Sequence, residues 1–189
     1  MKYLPISTKK RKQSIVTKKG DRGYTYTYSK DKLSKDDLRL EVVGTMDELC
    51  SFLGMAKSLV KDRSGKDILE KIQKDLFTIG GQVSGLGSKK LKRRIASRNI
   101  RYLEDKIEKL EKKSSIKIFV LPGDNLVSST LHVARTIARR LERRVVALKN
   151  KKKFKKKNIL IYLNRISDLI FLLACRYSFK KRQTIKTIA

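Results

Sequence analysis

The chain has no tryptophan, two prolines, two cysteines and a single histidine among its 189 residues. Each shortage excludes something. With prolines only at positions 5 and 122, long helices meet almost no breakers. One histidine and two distant thiols rule out a zinc site with the usual ligand spacing. Cys50 and Cys175 also form no disulfide framework; they read as small apolar core residues in a reducing compartment. No uninterrupted apolar run reaches the ~18 residues that a membrane span needs. The opening MKYLPISTKKRKQS lacks an apolar stretch of signal-peptide length. These absences predict a cytoplasmic protein with no membrane partner, and residues 1–16 as a flexible basic tail.

Acidic residues are scarce as well. Asp and Glu number 18 against 48 Lys and Arg, a formal net charge of +30. Such a balance points to an anionic partner: nucleic acid, a membrane surface or phosphate. A compositional origin stands beside it, because lysine runs in blocks such as KNKKKFKKK at 149–157 and asparagine and isoleucine are also common.

What is present is apolar periodicity. Hydrophobic residues make up 40% of the chain, enough for one domain around one core. From Asp36 to Lys61, Leu40, Val43, Met46, Leu49, Cys50, Leu53, Ala56 and Val60 recur at three and four, which predicts an amphipathic helix. Ser64 reads as the N-cap of a second helix, with Asp67 as its capping-box partner, ending at Gly85 and Gly87. Ile100, Leu103, Ile107 and Leu110 mark a third, peripheral helix. IKIFVLPGD at 116–124 is a short extended run. A fourth helix spans 125–148, and a fifth, central one spans 157–180. The predicted fold is all-α, a five-helix bundle over 17–180 with a tail at 181–189.

Two stretches carry candidate chemistry. TKKGDRGYT at 17–25 combines glycines, which let backbone N–H groups approach phosphate, with lysines; it lacks the P-loop spacing and reads equally as a plain turn. Tyr24, Tyr26 and Tyr28 alternate with threonines, as in a short strand or a base-stacking surface. LHVARTIARRLERRVV at 131–146 sets arginines along an apolar helix. Arg140, Arg143 and Arg144 read either as a solvated face or as anion contacts. Arg135 and Arg139 border the apolar stripe, where a guanidinium requires a partner. Asp47 and Glu48 are candidate carboxylates. Asn164, inside the most apolar helix, must be hydrogen-bonded. Asp168 reads as a salt-bridge partner for Arg165 or an arginine of the fourth helix, and His132 as an interface histidine rather than a ligand.

Four stretches taken in order, TKKGDRGYT, SKDDLRLEVVGTMDELCSFLG, FVLPG with LHVARTIARRLERRVVAL, and YLNRISDLIFLLA, resemble the PduO-type ATP:corrinoid adenosyltransferases over nearly all of 17–176. The resemblance implies a homotrimer with sites between subunits. It also implies transfer of the 5′-deoxyadenosyl group of ATP to cob(I)alamin, with release of triphosphate. ATP is then co-substrate with Mg²⁺, cobalamin is the acceptor, and a reductase supplies cob(I)alamin. By resemblance, Thr17, Lys18, Lys19, Gly20, Thr25, Tyr26 and Lys35 hold the nucleotide, together with Arg139, Arg140, Glu142, Arg143 and Asn164. Asp47, Arg135 and Arg139 form the catalytic set: Asp47 pairs with Arg135, Arg139 meets the triphosphate, and Glu142 orients an arginine or the ribose. Phe119 packs on the corrinoid's lower face, and no protein metal site is implied. Two departures bear on the corrinoid side. Gly123-Asp124 stands where the family usually has Gly-Gly, and the end of the chain matches no corrinoid-covering segment. The rival reading is a basic helical RNA- or DNA-binding protein without enzyme activity, with non-specific nucleic-acid binding arising from charge.

Overall fold

The computed structural model describes residues 16, 18–27, 30–85, 93–112, 120–152 and 157–178. Five helices follow one small hairpin. The hairpin pairs β1 (Tyr24–Tyr26) antiparallel to β2 (Lys32–Ser34), with Thr25 opposite Leu33. It resolves the Tyr-Thr alternation as a strand. Leu33 is its one buried apolar anchor. Thr27 and Asp31 close the turn, the Thr27 hydroxyl accepting from the Asp31 N–H at 3.1 Å.

The helices are α1 (Leu38–Leu59), α2 (Arg63–Ser84), α3 (Ser97–Glu111), α4 (Leu126–Lys152) and α5 (Lys157–Arg176). The apolar period predicts all five, and capping sets the limits. Helix α1 starts where the Asp37 carboxylate accepts from the Arg39 N–H at 2.8 Å. The N-cap of α2 is Asp62, not Ser64: its carboxylate accepts from the Gly65 N–H at 2.9 Å. Ser64 lies inside the helix, and Asp67 pairs with Arg63 at 2.9 Å instead of closing a capping box. An aspartate two residues upstream presents the same acceptor, which the weaker Ser-Asp pattern obscures. Asn125 caps α4, accepting from the Ser128 N–H at 2.9 Å, and α4 runs four residues past Leu148.

Side-chain pairs fix the helix directions. Gln73 of α2 donates to the Cys50 carbonyl of α1 at 2.9 Å, and Lys57 meets Glu70, so these two helices run antiparallel. Arg144 of α4 meets Glu41 of α1 while Arg140 meets Glu48, again antiparallel. Asn158 donates to the Ile95 carbonyl, and Arg165 donates to Glu104, so α3 and α5 run parallel. One end of the bundle therefore gathers the starts of α1, α3 and α5 with the ends of α2 and α4. The opposite end holds the remaining five termini.

Helix α5 is the central one: ten of its residues are buried, Tyr162, Leu163, Ile166, Leu169 and Ile170 among them. By length and composition alone α5 is apolar enough to cross a membrane, which the uninterrupted-run criterion misses because Asn164, Arg165 and Asp168 interrupt it. Its buried positions pack against the other helices. A fully buried leucine or isoleucine contributes about 1.5–3 kcal/mol, so this stripe organises the bundle. Helix α3 is peripheral, burying only Ile100 and Leu103. Where α2, α3 and α5 meet, buried Asp75 accepts from the Tyr162 hydroxyl at 2.9 Å and the Asn99 amide at 3.1 Å, and pairs with Lys71. Burial, and then the Asp75 carboxylate, push the Tyr162 hydroxyl far above its usual pKa. At the opposite end, Asp62 accepts from Tyr177 at 2.6 Å and Arg176 at 3.1 Å.

Candidate nucleotide site

Helix α4 buries Leu131, Ala134, Ala138, Leu141, Val145 and Leu148 completely. Its arginines divide on either side of this stripe. Arg140 pairs with Glu48 of α1. Arg144 pairs with Glu41 at 2.9 Å and donates to the buried Thr45 hydroxyl. Arg144 is therefore not a solvated side chain, and of the two candidate carboxylates Glu48 is used structurally.

Arg135, Arg139 and Arg143 make no ion pair among the described residues. Arg135 is half-buried; its Nε has no partner, and its guanidinium lies 5.8 Å from the centre of the Phe171 ring of α5. Beside it His132, 3% exposed, meets Phe171 edge-on at 6.1 Å with both ring nitrogens unpartnered. Burial, and then the Arg135 charge, hold the His132 pKa below the usual histidine value. Arg139 and Arg143 are exposed and, with Glu142 and Val146, line an open cleft of about 230 Å³.

Glu142 and Asn164 face each other across α4 and α5, the amide donating at 3.5 Å. The Asn164 oxygen accepts from Arg165 at 2.9 Å. Asn164 is thus held between a carboxylate and a guanidinium, with neither Arg139 nor Arg143 on Glu142. Arg165 takes Glu104 as its carboxylate, so Asp168 is not its partner; Asp168 is exposed and pairs with no α4 arginine among the described residues. Asp47 is exposed on α1, and no ion pair joins it to Arg135 within the chain among the described residues.

The glycine-spaced loop folds tightly ahead of α1. The Gly23 N–H donates to the Gly20 carbonyl at 3.2 Å and the Lys35 N–H donates to the Gly23 carbonyl at 2.8 Å. Gly23 has φ +78° and Lys18 φ +56°, both in the left-handed region; the second is sterically costly for a lysine. A Cβ added at Gly20 would lie 3.3 Å from the Lys35 ammonium. Lys35 thus rests over bare backbone with exposed Lys18 and Lys19 nearby in sequence, an arrangement able to receive phosphate oxygens. Thr25 is half-buried in β1, and Tyr26 is exposed. Lys32 covers the Tyr24 ring at 4.4 Å, which occupies one face that base stacking would use. Thr17, Tyr28 and Phe119 lie outside the described residues. After Pro122, Gly123 has φ +122°, and Asp124 accepts from the Ser178 hydroxyl at 2.5 Å.

The sequence reading missed Phe171 and Val146 because both sit in helical apolar patterns that signal core. No group of three His, Cys, Asp or Glu side chains among the described residues is arranged to hold a metal ion. What the chain offers is a row of cations along one helix flank and a lysine-lined loop, suited to a polyphosphate.

Residues 15–177 match the sequence model of a family described as cobalamin adenosyltransferase. The chain is 37% identical over 163 residues to a corrinoid adenosyltransferase of Citrobacter freundii, covering 85% of this chain and 92% of that one. Its fold is similar to that of a PduO-type ATP:corrinoid adenosyltransferase from Lactobacillus reuteri. A phenylalanine-to-alanine variant of that protein, complexed with cobalamin and ATP, gives a TM-score of 0.78 at 35% identity over 85% of this chain and 91% of that one. An arginine-to-lysine variant complexed with ATP gives 0.77 at 36% identity, with the same coverage. The two substituted positions stand twenty residues apart in that protein.

Proposed function

Because the chain belongs to the cobalamin adenosyltransferase family, we propose that it transfers the 5′-deoxyadenosyl group of ATP to the cobalt of a reduced corrinoid. One observation carries the assignment of the site. A helix neutralises two of its arginines on α1 and leaves Arg135, Arg139 and Arg143 without an ion pair among the described residues, the last two beside a cleft. A second observation agrees with it. Phe119 and Arg139 stand twenty residues apart, the separation of the two substituted positions in the Lactobacillus reuteri protein.

The cob(I)alamin cobalt is the nucleophile. It attacks the 5′ carbon of ATP; the Co–C bond forms as the C–O bond to triphosphate breaks, with no proton to move. The chain's task is positioning and stabilising the leaving charge. Arg139 meets the triphosphate, with Arg143 and the Lys18, Lys19, Gly20 and Lys35 loop around it. Thr17, Thr25 and Tyr26 bound the nucleotide, and Asn164, held by Glu142, faces it. Arg140 acts through its Glu48 pair, keeping α1 and α4 in register. Phe119 provides an apolar surface for the corrinoid. Mg²⁺ arrives on the phosphates of ATP, since phosphate oxygens and water suit it.

The cleft is smaller than the ~300–1,000 Å³ of a typical ligand pocket and is walled by one helix, so a neighbouring copy supplies the rest. The assembly is a homotrimer with sites between subunits, in which Asp47 of one copy meets Arg135. Buried His132 and half-buried Arg135, with unpartnered ring and Nε nitrogens, are the groups such a contact satisfies. A separate reductase supplies cob(I)alamin in a cytoplasm that keeps Cys50 and Cys175 reduced. Purified protein mixed with MgATP and chemically reduced cobalamin must convert the cob(I)alamin spectrum to that of adenosylcobalamin, and sedimentation must give three subunits. A corrinoid spectrum that never changes with ATP removes the assignment.

A further inference from the structure

The net charge is not spread evenly. No Asp or Glu occurs between Asp75 and Glu104, or between Glu142 and Asp168; these stretches hold seven and ten lysines and arginines. The fold brings the two stretches together. Asn158 donates to the Ile95 carbonyl at 3.4 Å, which joins the start of α5 to the entry of α3. Arg93, Arg94, Arg98, Arg101, Lys149, Lys151 and Lys157 are all exposed there, and none makes an ion pair among the described residues. At the opposite end three of the cations sit on carboxylates: Arg63 on Asp67, Lys112 on Glu108 at 2.5 Å, Arg176 on Asp62. Lysine enrichment by composition alone would not sort charge in this way.

We infer that this basic end is a binding surface for the phosphodiester backbone of double-stranded nucleic acid, built from residues other than those assigned to adenosyl transfer. Its chemistry selects the partner. Closely spaced like charges without carboxylates gain from a dense polyanion, through release of condensed counterions. Among the described residues, none of the exposed large apolar side chains lies at 93–103, 147–151 or 157–163, so these segments offer no group to enter a bilayer. No exposed aromatic ring lies in those described segments either, so they provide no single-strand stacking. Recognition is of backbone charge, without base sequence.

The test compares two fourfold variants of equal charge change in the full chain. One is Arg94→Gln, Arg98→Gln, Lys149→Gln and Lys151→Gln at the basic end. The other is Lys61→Gln, Arg63→Gln, Lys109→Gln and Lys112→Gln at the opposite end. Short labelled duplex RNA and duplex DNA of one sequence, and anionic phosphatidylserine vesicles, are titrated across a salt series. The wild type is expected to bind both duplexes at about 0.15 M salt, with affinity falling linearly in log salt. The basic-end variant should lose on the order of tenfold or more, its slope flattening by about 0.9 per phosphate contact removed. The opposite-end variant should bind like the wild type, and both should convert cob(I)alamin normally. RNA preferred over DNA, or the reverse, identifies which duplex this surface fits. Equal losses in the two variants, vesicle binding without duplex binding, or no binding at that salt each overturn the inference. So does a parallel loss of ATP use in the basic-end variant, which would return the surface to substrate capture.

Discussion

The two flanks of α4 are built from the same residue type and differ in what meets it. Toward α1, Arg140 and Arg144 end on Glu48, Glu41 and Thr45. On the other flank, Arg135, Arg139 and Arg143 meet an aromatic ring, a cleft and solvent. The first flank is finished within one chain. The second has no ion pair among the described residues, and under the proposed function a polyanion or another subunit meets it. Guanidinium is the right group for both, being always charged and able to hold carboxylate or phosphate through two donors. The helix itself does not distinguish them; α1 does, by placing acids at 41 and 48 and leaving Asp47 turned outward.

The comparison is broken most severely by removing the unpartnered flank. Arg135→Ala with Arg139→Ala should lower ATP-dependent conversion of cob(I)alamin at least about a hundredfold, since each charge-assisted contact is worth ~1.5–3 kcal/mol. Stopped-flow or steady-state absorbance measures this, with circular dichroism confirming the helices. Removing a finished arginine should do the opposite. Arg144→Ala leaves the Glu41 carboxylate unpaired and removes a donor from the Thr45 hydroxyl, which keeps its bond to the Glu41 carbonyl; because the Arg144–Glu41 pair is over a third exposed the loss is held to about 1 kcal/mol. In a domain of this size that lowers Tm by about 2–4 °C, with kcat and KM for ATP unchanged.

Next comes pH, through the sole histidine. Burial and the Arg135 charge depress the folded-state pKa of His132 below its unfolded value. Between those two values the unfolded chain binds the extra proton, so stability rises with pH there. The contribution is complete above the unfolded pKa, about 6.5, and is lost as pH falls through the folded pKa. Chemical denaturation should therefore show a loss of stability between neutral and mildly acidic pH that His132→Gln reduces. The smallest effect is expected at Arg165. Its pair with Glu104 is exposed on both sides, so Arg165→Ala should cost at most about 0.5 kcal/mol. A larger cost would show that the Asn164 bridge matters to the fold.

The helices were legible because each buries a regular apolar stripe, and stripes are local. Arg135 and Arg139 were legible for the same reason: they interrupt the edge of one. The partner of each arginine was not. Glu48 and Arg140 are paired by the α1–α4 crossing, and sequence spacing carries no record of which of two adjacent acids, Asp47 or Glu48, turns inward. Asp62 hid as an N-cap behind the Ser64-Asp67 pattern just downstream, and its further partners Tyr177 and Arg176 come from the far end of the chain. The Asp75 network was invisible for a related reason, since Tyr162 and Asn99 read separately as core and surface. The Lys35 ammonium over Gly20 depends on a hairpin that the loop's glycines only permit.

The central claim is that the unpartnered arginines of α4 bind the triphosphate while the partnered ones hold the bundle. ATP saturation curves for the wild type, Arg139→Ala and Arg140→Ala, recorded side by side with saturating cob(I)alamin, test it most directly. The account predicts a roughly tenfold to hundredfold loss in kcat/KM for ATP confined to Arg139→Ala, with Arg140→Ala close to wild type in rate and lower in Tm. Equal losses in the two variants, or wild-type kinetics in a folded Arg139→Ala, would contradict it.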